Sequence, residues 1–188
     1  MDRTTLTSET NNWVGVLNLA RSEAITRGEK VTVCRSAGDP EDCDGSAQCN
    51  CGTVPTPPNY HTGYLIFTST NNPSEEVAIH FQPTVYGNEL LRAGRTQSDK
   101  VTIQGNGFAN NAFSFAPGGS LATEDFEAGS ARHILCLMAR AGDSSSTISN
   151  DHVRGRVVII APTGQPSVSE FAGTGAQCVT ASSNENAD

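Results

Sequence analysis

NNWVGVLNLARSEAITRGEKVTV, residues 11–33, contains one amphipathic helix, the signal that ends it and the first strand. Four apolar residues recur at the period of an α-helix that buries a single stripe, and Leu6 lies one heptad upstream. The four are Trp13, Leu17, Ala20 and Ala24. Gly28 then occupies a typical helix end, because only glycine enters the left-handed region without strain. The sequence therefore predicts a half-buried helix that ends near Arg27.

Charged residues lie beside this apolar stripe, at Arg21, Glu23 and Arg27. Glu23 and Arg27 form an i,i+4 pair in the favourable order, which contributes a few tenths of a kcal/mol on a solvated face. The start of the helix is less well defined, because residues 1–5 contain no clear capping box. An uncapped start favours a helix that continues from a longer one. We therefore expect residues 1–28 to be the C-terminal half of a long helix.

The composition is typical of a single secreted domain. The chain has 188 residues, enough to bury a real core, with 17% charged residues, 18 glycines and 9 prolines. Its formal net charge is -8 at pH 7, which disfavours nonspecific attraction to nucleic acid or anionic lipid. No apolar run approaches the ~20 residues that a membrane-spanning helix needs. The composition thus predicts one domain, residues 1–188, that lies outside the membrane.

Six cysteines indicate an oxidising compartment such as the periplasm or the cell surface. They are Cys34, Cys43, Cys49, Cys51, Cys136 and Cys178. We favour a disulfide between Cys136 and Cys178, and a second between Cys34 and one member of the cluster at 43–51. The same cluster with His61 could in principle bind zinc. However, it lacks the paired C-x2-C pattern of structural zinc sites, so disulfides are the favoured interpretation.

Short apolar or alternating segments after the helix predict seven or eight antiparallel strands. Seven of them lie at 31–34, 63–67, 77–81, 101–103, 112–115, 133–138 and 153–160, and 90–91 is a further short piece. The chain then folds back at 166–168 in a final hairpin. Turn signals occur at 105–107, 117–119 and 162–164. The sequence predicts an α+β fold in which one amphipathic helix packs on antiparallel sheet.

Loop-like sequence fills the remaining chain. Residues 35–60 and the Ser-rich segment 141–151 favour irregular surface loops that could contact partners. We expect residues 29–180 to form a β-rich head and residues 181–188 to form a flexible tail.

Four blocks of sequence follow one another along most of the chain. They are LNLARSEAITRGEKVTVC at 17–34, GYLIFTSTN at 63–71, FSFAPGGSL at 113–121 and RGRVVIIAPTGQPSV at 154–168. Together they resemble the minor pilins and pseudopilins of the FimT, FimU and GspH type. The most specific part is ARSEAI followed by a basic residue, a glycine and a strand that ends in cysteine.

This resemblance implies a pilin-like fold and a Gram-negative inner-membrane protein made as a prepilin. An apolar helix upstream of the present chain would lie in the membrane, and the domain would be its periplasmic part. The implied partners are other minor and major pilins or pseudopilins. Their contacts would involve the helix that carries Trp13, Leu17, Ala20, Arg21, Glu23, Ala24 and Arg27.

Within this family we predict a structural minor pilin of a type IV pilus, which helps to initiate assembly or forms the tip. The ARSEA block with a cysteine closing the first strand favours the pilus. The alternative is a GspH-type pseudopilin of a type II secretion system.

The FimT branch is associated with DNA uptake, so DNA binding is a further alternative. Basic side chains that could contact phosphate are Arg92, Arg95, Lys100, Arg132, Arg140, Arg154 and Arg156. The uptake proteins carry a GRxR-like motif, whereas this chain has GRVV at 155–158. With the acidic net charge, Arg154 and Arg156 are better interpreted as a solvated face of a strand.

Enzymatic chemistry is not predicted. The four histidines, His61, His80, His133 and His152, occur without an HExxH, GxSxG or P-loop pattern. His80 and His133 lie in alternating strand sequence, which favours a structural role. We predict no catalytic or metal site, no cofactor and no small-molecule substrate.

Overall fold

A computed structural model of the chain describes residues 3–36, 60, 63–69, 81, 87–96, 101–106, 112–122, 133–139 and 155–171. These residues form one helix and eight strands. The elements are α1 (Arg3–Arg27), β1 (Lys30–Arg35), β2 (Tyr64–Ser69), β3 (Leu90–Gly94), β4 (Val101–Asn106), β5 (Ala112–Phe115), β6 (His133–Ala139), β7 (Gly155–Ile160) and β8 (Pro166–Phe171).

The helix ends as its sequence predicts. The last residue of α1 is Arg27, and Gly28 follows with a φ of 65°. The amide of Gly28 donates to the carbonyl oxygen of Ala24 at 3.0 Å, which closes the last turn. The buried stripe is wider than the predicted one and comprises Leu6, Glu9, Thr10, Trp13, Val16, Leu17, Ala20 and Ala24.

The eight strands form two antiparallel four-stranded sheets. The order of the first sheet is β3-β2-β1-β5 and that of the second is β4-β6-β7-β8. At the centre of the first sheet, Val33 pairs with Ile66 of β2 and with Phe113 of β5. In the second sheet, Leu135 pairs with Gly105 of β4 and with Val158 of β7. The predicted α+β class, with one helix packed on antiparallel sheet, is confirmed.

One apolar core lies between α1 and the inner faces of both sheets. The first sheet contributes Val31, Val33, Tyr64, Ile66, Phe113 and Phe115, and the second contributes Val101, Ile103, Leu135, Leu137, Val158 and Ile160. Since strand side chains alternate between faces, the outer face of the first sheet carries its own cluster. That cluster comprises Cys34, Leu65, Phe67, Phe81 and Ala112. Strand β2 is therefore buried on both faces, as its continuous apolar run predicts.

Two of the three predicted turns are confirmed. The amide of Gly119 donates to the carbonyl oxygen of Ala116 at 2.8 Å, and that of Gly164 donates to Ala161 at 2.8 Å. The prediction at 105–107 is wrong for its first two residues, because β4 runs through Asn106 and pairs there with Ile134. Strands β4 and β5 belong to different sheets, so the segment between them does not join a hairpin.

Several predictions concern residues outside the described ranges. They include most of the strand at 77–81, most of the loop at 35–60, the loop at 141–151 and the tail at 181–188. The division into helix, head and tail stays a prediction. Within the described residues, α1 is not apolar enough over a sufficient length to cross a membrane.

Candidate functional site on the helix

The buried stripe of α1 attaches the helix to its own head. Trp13 makes edge contacts with Tyr60 and Tyr64, with ring centroids 5.3 and 5.2 Å apart. Leu17 and Ala20 are fully buried in the same core. The contact of this helix with neighbouring subunits stays a prediction, and four of the seven residues named on it face the chain's own core, as the predicted stripe requires. They are Trp13, Leu17, Ala20 and Ala24.

The opposite face of α1 is exposed along its length. Its residues recur at alternating spacings of four and three, and we call them the outer ridge: Thr4, Ser8, Asn11, Gly15, Asn18 and Ser22. All six are small or short polar residues, and none carries a charge. A Cβ added at Gly15 would meet no atom within 4 Å. The solvent face of a surface helix usually carries charged side chains, so this uncharged ridge is unusual.

An acidic flank lies on one side of the ridge, and we define it by Glu23, Arg27 and Glu89. The Nε of Arg27 donates to Glu23 at 2.8 Å, and its Nη1 donates to Glu89 at 2.6 Å. These hydrogen bonds raise the pKa of the Arg27 guanidinium. The predicted Glu23–Arg27 pair is confirmed, whereas Glu89 comes from the loop before β3. Two carboxylates on one guanidinium leave one net negative charge.

Arg21 and Ile25 define the other flank. The Nε of Arg21 donates to the carbonyl oxygen of Gly119 at 2.9 Å. Within the part of the chain that the structure describes, Arg21 has no carboxylate partner. Ile25 is 50% exposed, and its Cδ1 lies 2.6 Å from where a Cβ would lie on Gly119. Among the described residues, this flank therefore presents one positive charge without a carboxylate partner, beside an exposed aliphatic side chain.

A junction of two glycine turns supports this flank. Gly119 follows β5 of the first sheet, and Gly164 lies between β7 and β8 of the second, with φ values of 80° and 78°. A Cβ on Gly164 would lie 2.0 Å from the carbonyl oxygen of Gly119. The amide of Leu121 also donates to Pro162 at 3.0 Å. The helix and the two sheets are thus joined at one point.

Arg156 does not lie on a solvated face. It is directly opposite Glu170 across β7 and β8, and its Nη1 lies 2.5 Å from the carboxylate. Its side chain is only 15% exposed. Arg3 binds the same carboxylate at 2.8 Å. Both guanidinium groups lower the pKa of Glu170, and Arg156 has the larger effect. The prediction of a solvated face is wrong for Arg156, because Glu170 pairs with it, and Arg154 lies outside the described residues.

Two of the predicted disulfide cysteines are described. Cys34 and Cys136 are both disulfide-bonded and fully buried. The other four candidates, Cys43, Cys49, Cys51 and Cys178, lie outside the described residues, so the pairing stays a prediction. The alternative zinc cluster with His61 lies outside them as well.

His133 is a buried core residue. Its ring lies 5.8 Å from that of Phe113 at an interplanar angle of 35°. Within the described ranges, no group of three or more His, Cys, Asp or Glu side chains could hold a metal ion. His61, His80 and His152 lie outside these ranges.

The chain was compared with families of known proteins. The model of a family described as type II transport protein GspH matches residues 9–164. This range covers most of α1, all seven strands from β1 to β7 and the turn that contains Gly164. The chain belongs to the GspH family.

The fold of this GspH-family chain is similar to that of a solved minor pilin. The type IV minor pilin FimU of Pseudomonas aeruginosa has been crystallised in two forms. The first matches with a TM-score of 0.53 and 15% identity, over 94% of this chain and 96% of that one. The second matches with a TM-score of 0.50 and 15% identity, over 92% and 99%. No curated protein matches the chain.

The sequence did not predict three features of this GspH-family chain. They are the uncharged ridge, the pairing of Arg27 with Glu89, and the glycine junction. The junction joins three of the blocks that carry the resemblance, those at 17–34, 113–121 and 154–168. A signal was present, because FAPGGS and APTGQP both place a Pro-x-Gly turn after a buried strand. Nothing in either turn predicts that the two would meet at Arg21.

Proposed function

We propose that this chain is the periplasmic head of a structural minor pilin, which helps to initiate a type IV pilus or forms its tip. The observation that carries the proposal is the division of α1 into two faces. One face attaches the helix to the head, and the other is a ridge without charged side chains. A subunit built this way carries its own head and offers a second helix face to its neighbours.

The side chains of the ridge favour close contact between helices. The distance between two packed helices depends on the side chains at the contact, with short ones allowing the closer approach. Charged side chains, which are costly to desolvate, are depleted from the core of protein interfaces. The ridge satisfies both conditions from Thr4 to Ser22. The buried stripe, by contrast, is already used within the head.

Membership of the GspH family supports a place in a pilus or a pseudopilus. The ARSEA block, together with the disulfide-bonded Cys34 near the end of β1, favours the pilus. The alternative is a type II secretion pseudopilin, which the description of the family favours. In either role, an apolar helix upstream of α1 would anchor the protein in the inner membrane of a Gram-negative cell. The disulfides at Cys34 and Cys136 fit an oxidising periplasm.

Deletion of the gene in its own organism tests this proposal. For a minor pilin we expect few or no surface pili, while proteins secreted by the type II pathway still reach the medium. For a pseudopilin we expect those proteins to accumulate in the periplasm while pili are unchanged. A deletion strain that keeps both its pili and its secretion would contradict both roles.

A further inference from the structure

The two flanks of α1 differ in charge and lie on opposite sides of the helix. Two residues along an α-helix correspond to a rotation of about 200°, which separates Arg21 from Glu23. The two residues are also at nearly the same height along the helix axis. One flank therefore faces away from the other at a single level of the molecule.

The Arg21 flank combines a cation with exposed apolar surface. The Nε of Arg21 donates to the carbonyl oxygen of Gly119. A guanidinium has four further N–H donors on its two Nη atoms. Ile25 lies one helical turn away from Arg21. Among the described residues, only Ile25 and Val168 are large hydrophobic side chains with substantial exposure, at 50% and 48%. The glycine junction formed by Gly119 and Gly164 packs under this surface and supports it.

The acidic flank offers the complementary chemistry. Glu23 and Glu89 share the single guanidinium of Arg27, and the Glu89 side chain is 61% exposed. Leu19 lies one turn before Glu23 and is only partly buried against the core. The acidic flank thus presents a surplus carboxylate beside an aliphatic side chain. The Arg21 flank presents a cation beside an aliphatic side chain.

We propose that the Arg21 flank of one copy of this chain docks on the acidic flank of a second copy, with Arg21 bound to Glu23 or Glu89. The inference rests on the proposed function and names a contact within the fibre. Different patches meet in such a contact, so it is heterologous and continues from one copy to the next wherever the rotation between copies does not close a ring. Since the flanks lie at one level on opposite sides of α1, successive copies keep their helices side by side. A two-fold dimer through either flank would place like charges together.

Carbodiimide cross-linking tests the contact directly. Arg21→Lys keeps the charge and adds a side-chain amine at this position. The other side-chain amines of the chain are those of Lys30 and Lys100. Equal amounts of ¹⁵N-labelled and unlabelled protein are mixed at high concentration, cross-linked and digested. Mixed-isotope peptides then identify intermolecular links. We expect a link from position 21 to Glu23 or Glu89 that the native chain does not give.

Two matched variants decide the result. Ile25→Ser in the Arg21→Lys background should abolish the link, whereas Val168→Ser removes an equally exposed aliphatic residue and should leave it. The inference is wrong if position 21 gives no intermolecular link, if it links to other carboxylates, or if both serine variants behave alike.

Sedimentation of the chain with native Arg21 covers the case in which Arg21→Lys does not fold. Ile25→Ser should then weaken self-association about tenfold, and Val168→Ser should not. Equal effects of the two variants, or no self-association of the native chain, would overturn the inference. A chain that enters fibres but gives none of these results would contradict this contact alone and not the proposed function.

Discussion

Gly119 and Gly164 meet so closely that no side chain fits on Gly164. Each has a positive φ, and the carbonyl oxygen of Gly119 occupies the space that a Cβ on Gly164 would need. Arg21 donates to that same oxygen. At this point single residues decide how the helix and the two sheets fit together.

A series of glycine-to-alanine substitutions separates backbone strain from steric overlap. Gly118→Ala should change the free energy of unfolding by less than about 0.5 kcal/mol, because the site is open and has no positive φ. Gly28→Ala adds only the strain of a positive φ, about 1–2 kcal/mol. Gly164→Ala adds overlap as well and should cost roughly 2–4 kcal/mol. Urea denaturation measures all three. A loss at Gly164 no larger than that at Gly28 would show that the junction is not tightly packed.

The ion pairs of Glu170 should make stability depend on pH. Arg156 and Arg3 lower its pKa below the ordinary value of 4.5, so the folded state holds this proton less tightly than the unfolded state. The contribution is therefore complete above pH 4.5 and is lost as the pH falls through the lower folded-state value. Glu170→Gln should lower the melting temperature at neutral pH, and the difference should vanish in acid.

Glu29→Gln serves as the control for this experiment, because Glu29 is exposed and has no ion-pair partner among the described residues. We expect it to leave the melting temperature unchanged across the same pH range. If the melting temperatures of the native protein and Glu170→Gln differ by the same amount down to the lowest pH, the ion pairs are not the source of the difference.

At the scale of elements, local pattern predicts some features and tertiary pairing decides others. The helix end at Gly28 and the double burial of β2 follow from local chemistry, and both are confirmed. The glycines near 105–107 give a turn signal, yet β4 continues because β6 offers hydrogen-bond partners up to Ile134. Likewise Arg156 alternates as a solvated residue would, but the placement of β8 sets Glu170 opposite it. The β4–β6 pairing joins residues far apart in the chain, which a local pattern does not specify. The Arg156–Glu170 pair depends on the register of the final hairpin, which the turn signal alone does not fix.

The two faces of α1 should respond differently to truncation. Leu17→Ala removes a fully buried side chain and should cost about 2–5 kcal/mol of unfolding free energy. Ile25→Ala lies on the same helix at a half-exposed position and should cost less than about 1 kcal/mol. Chemical denaturation of both variants measures the contrast. Similar losses would mean that α1 is not attached to the head through this stripe.

At the scale of the whole molecule, the sequence predicts the fold class and the family but only part of the candidate site. Arg21, Glu23 and Arg27 were predicted at the subunit contact, and they do lie on the two exposed flanks. Which other positions are exposed depends on how widely the sheets cover the helix. Eight residues of α1 are buried, and the outer ridge is defined only once those are known.

The net charge of the whole molecule predicts that the domain does not bind DNA through phosphate contacts, which would be salt-dependent. The net charge is -8, and Arg156 is paired with Glu170. Binding that rests on phosphate contacts weakens steeply with salt, so a gel-shift titration at low and high salt is the measurement. Tight binding in low salt that is lost on Arg154→Ala with Arg156→Ala would contradict a purely structural role.

The central claim is that the outer ridge of α1 packs against neighbouring subunits in a fibre. Gly15 lies on that ridge with open space around it, so Gly15→Ala and Gly15→Lys should both fold. The decisive measurement is the amount of this protein in fibres sheared from cells that express the native chain, Gly15→Ala or Gly15→Lys. We predict that the native chain and Gly15→Ala are present, while Gly15→Lys stays folded in the periplasm and is absent from the fibres. Incorporation of Gly15→Lys at the native level, or absence of the native chain itself, would contradict the account.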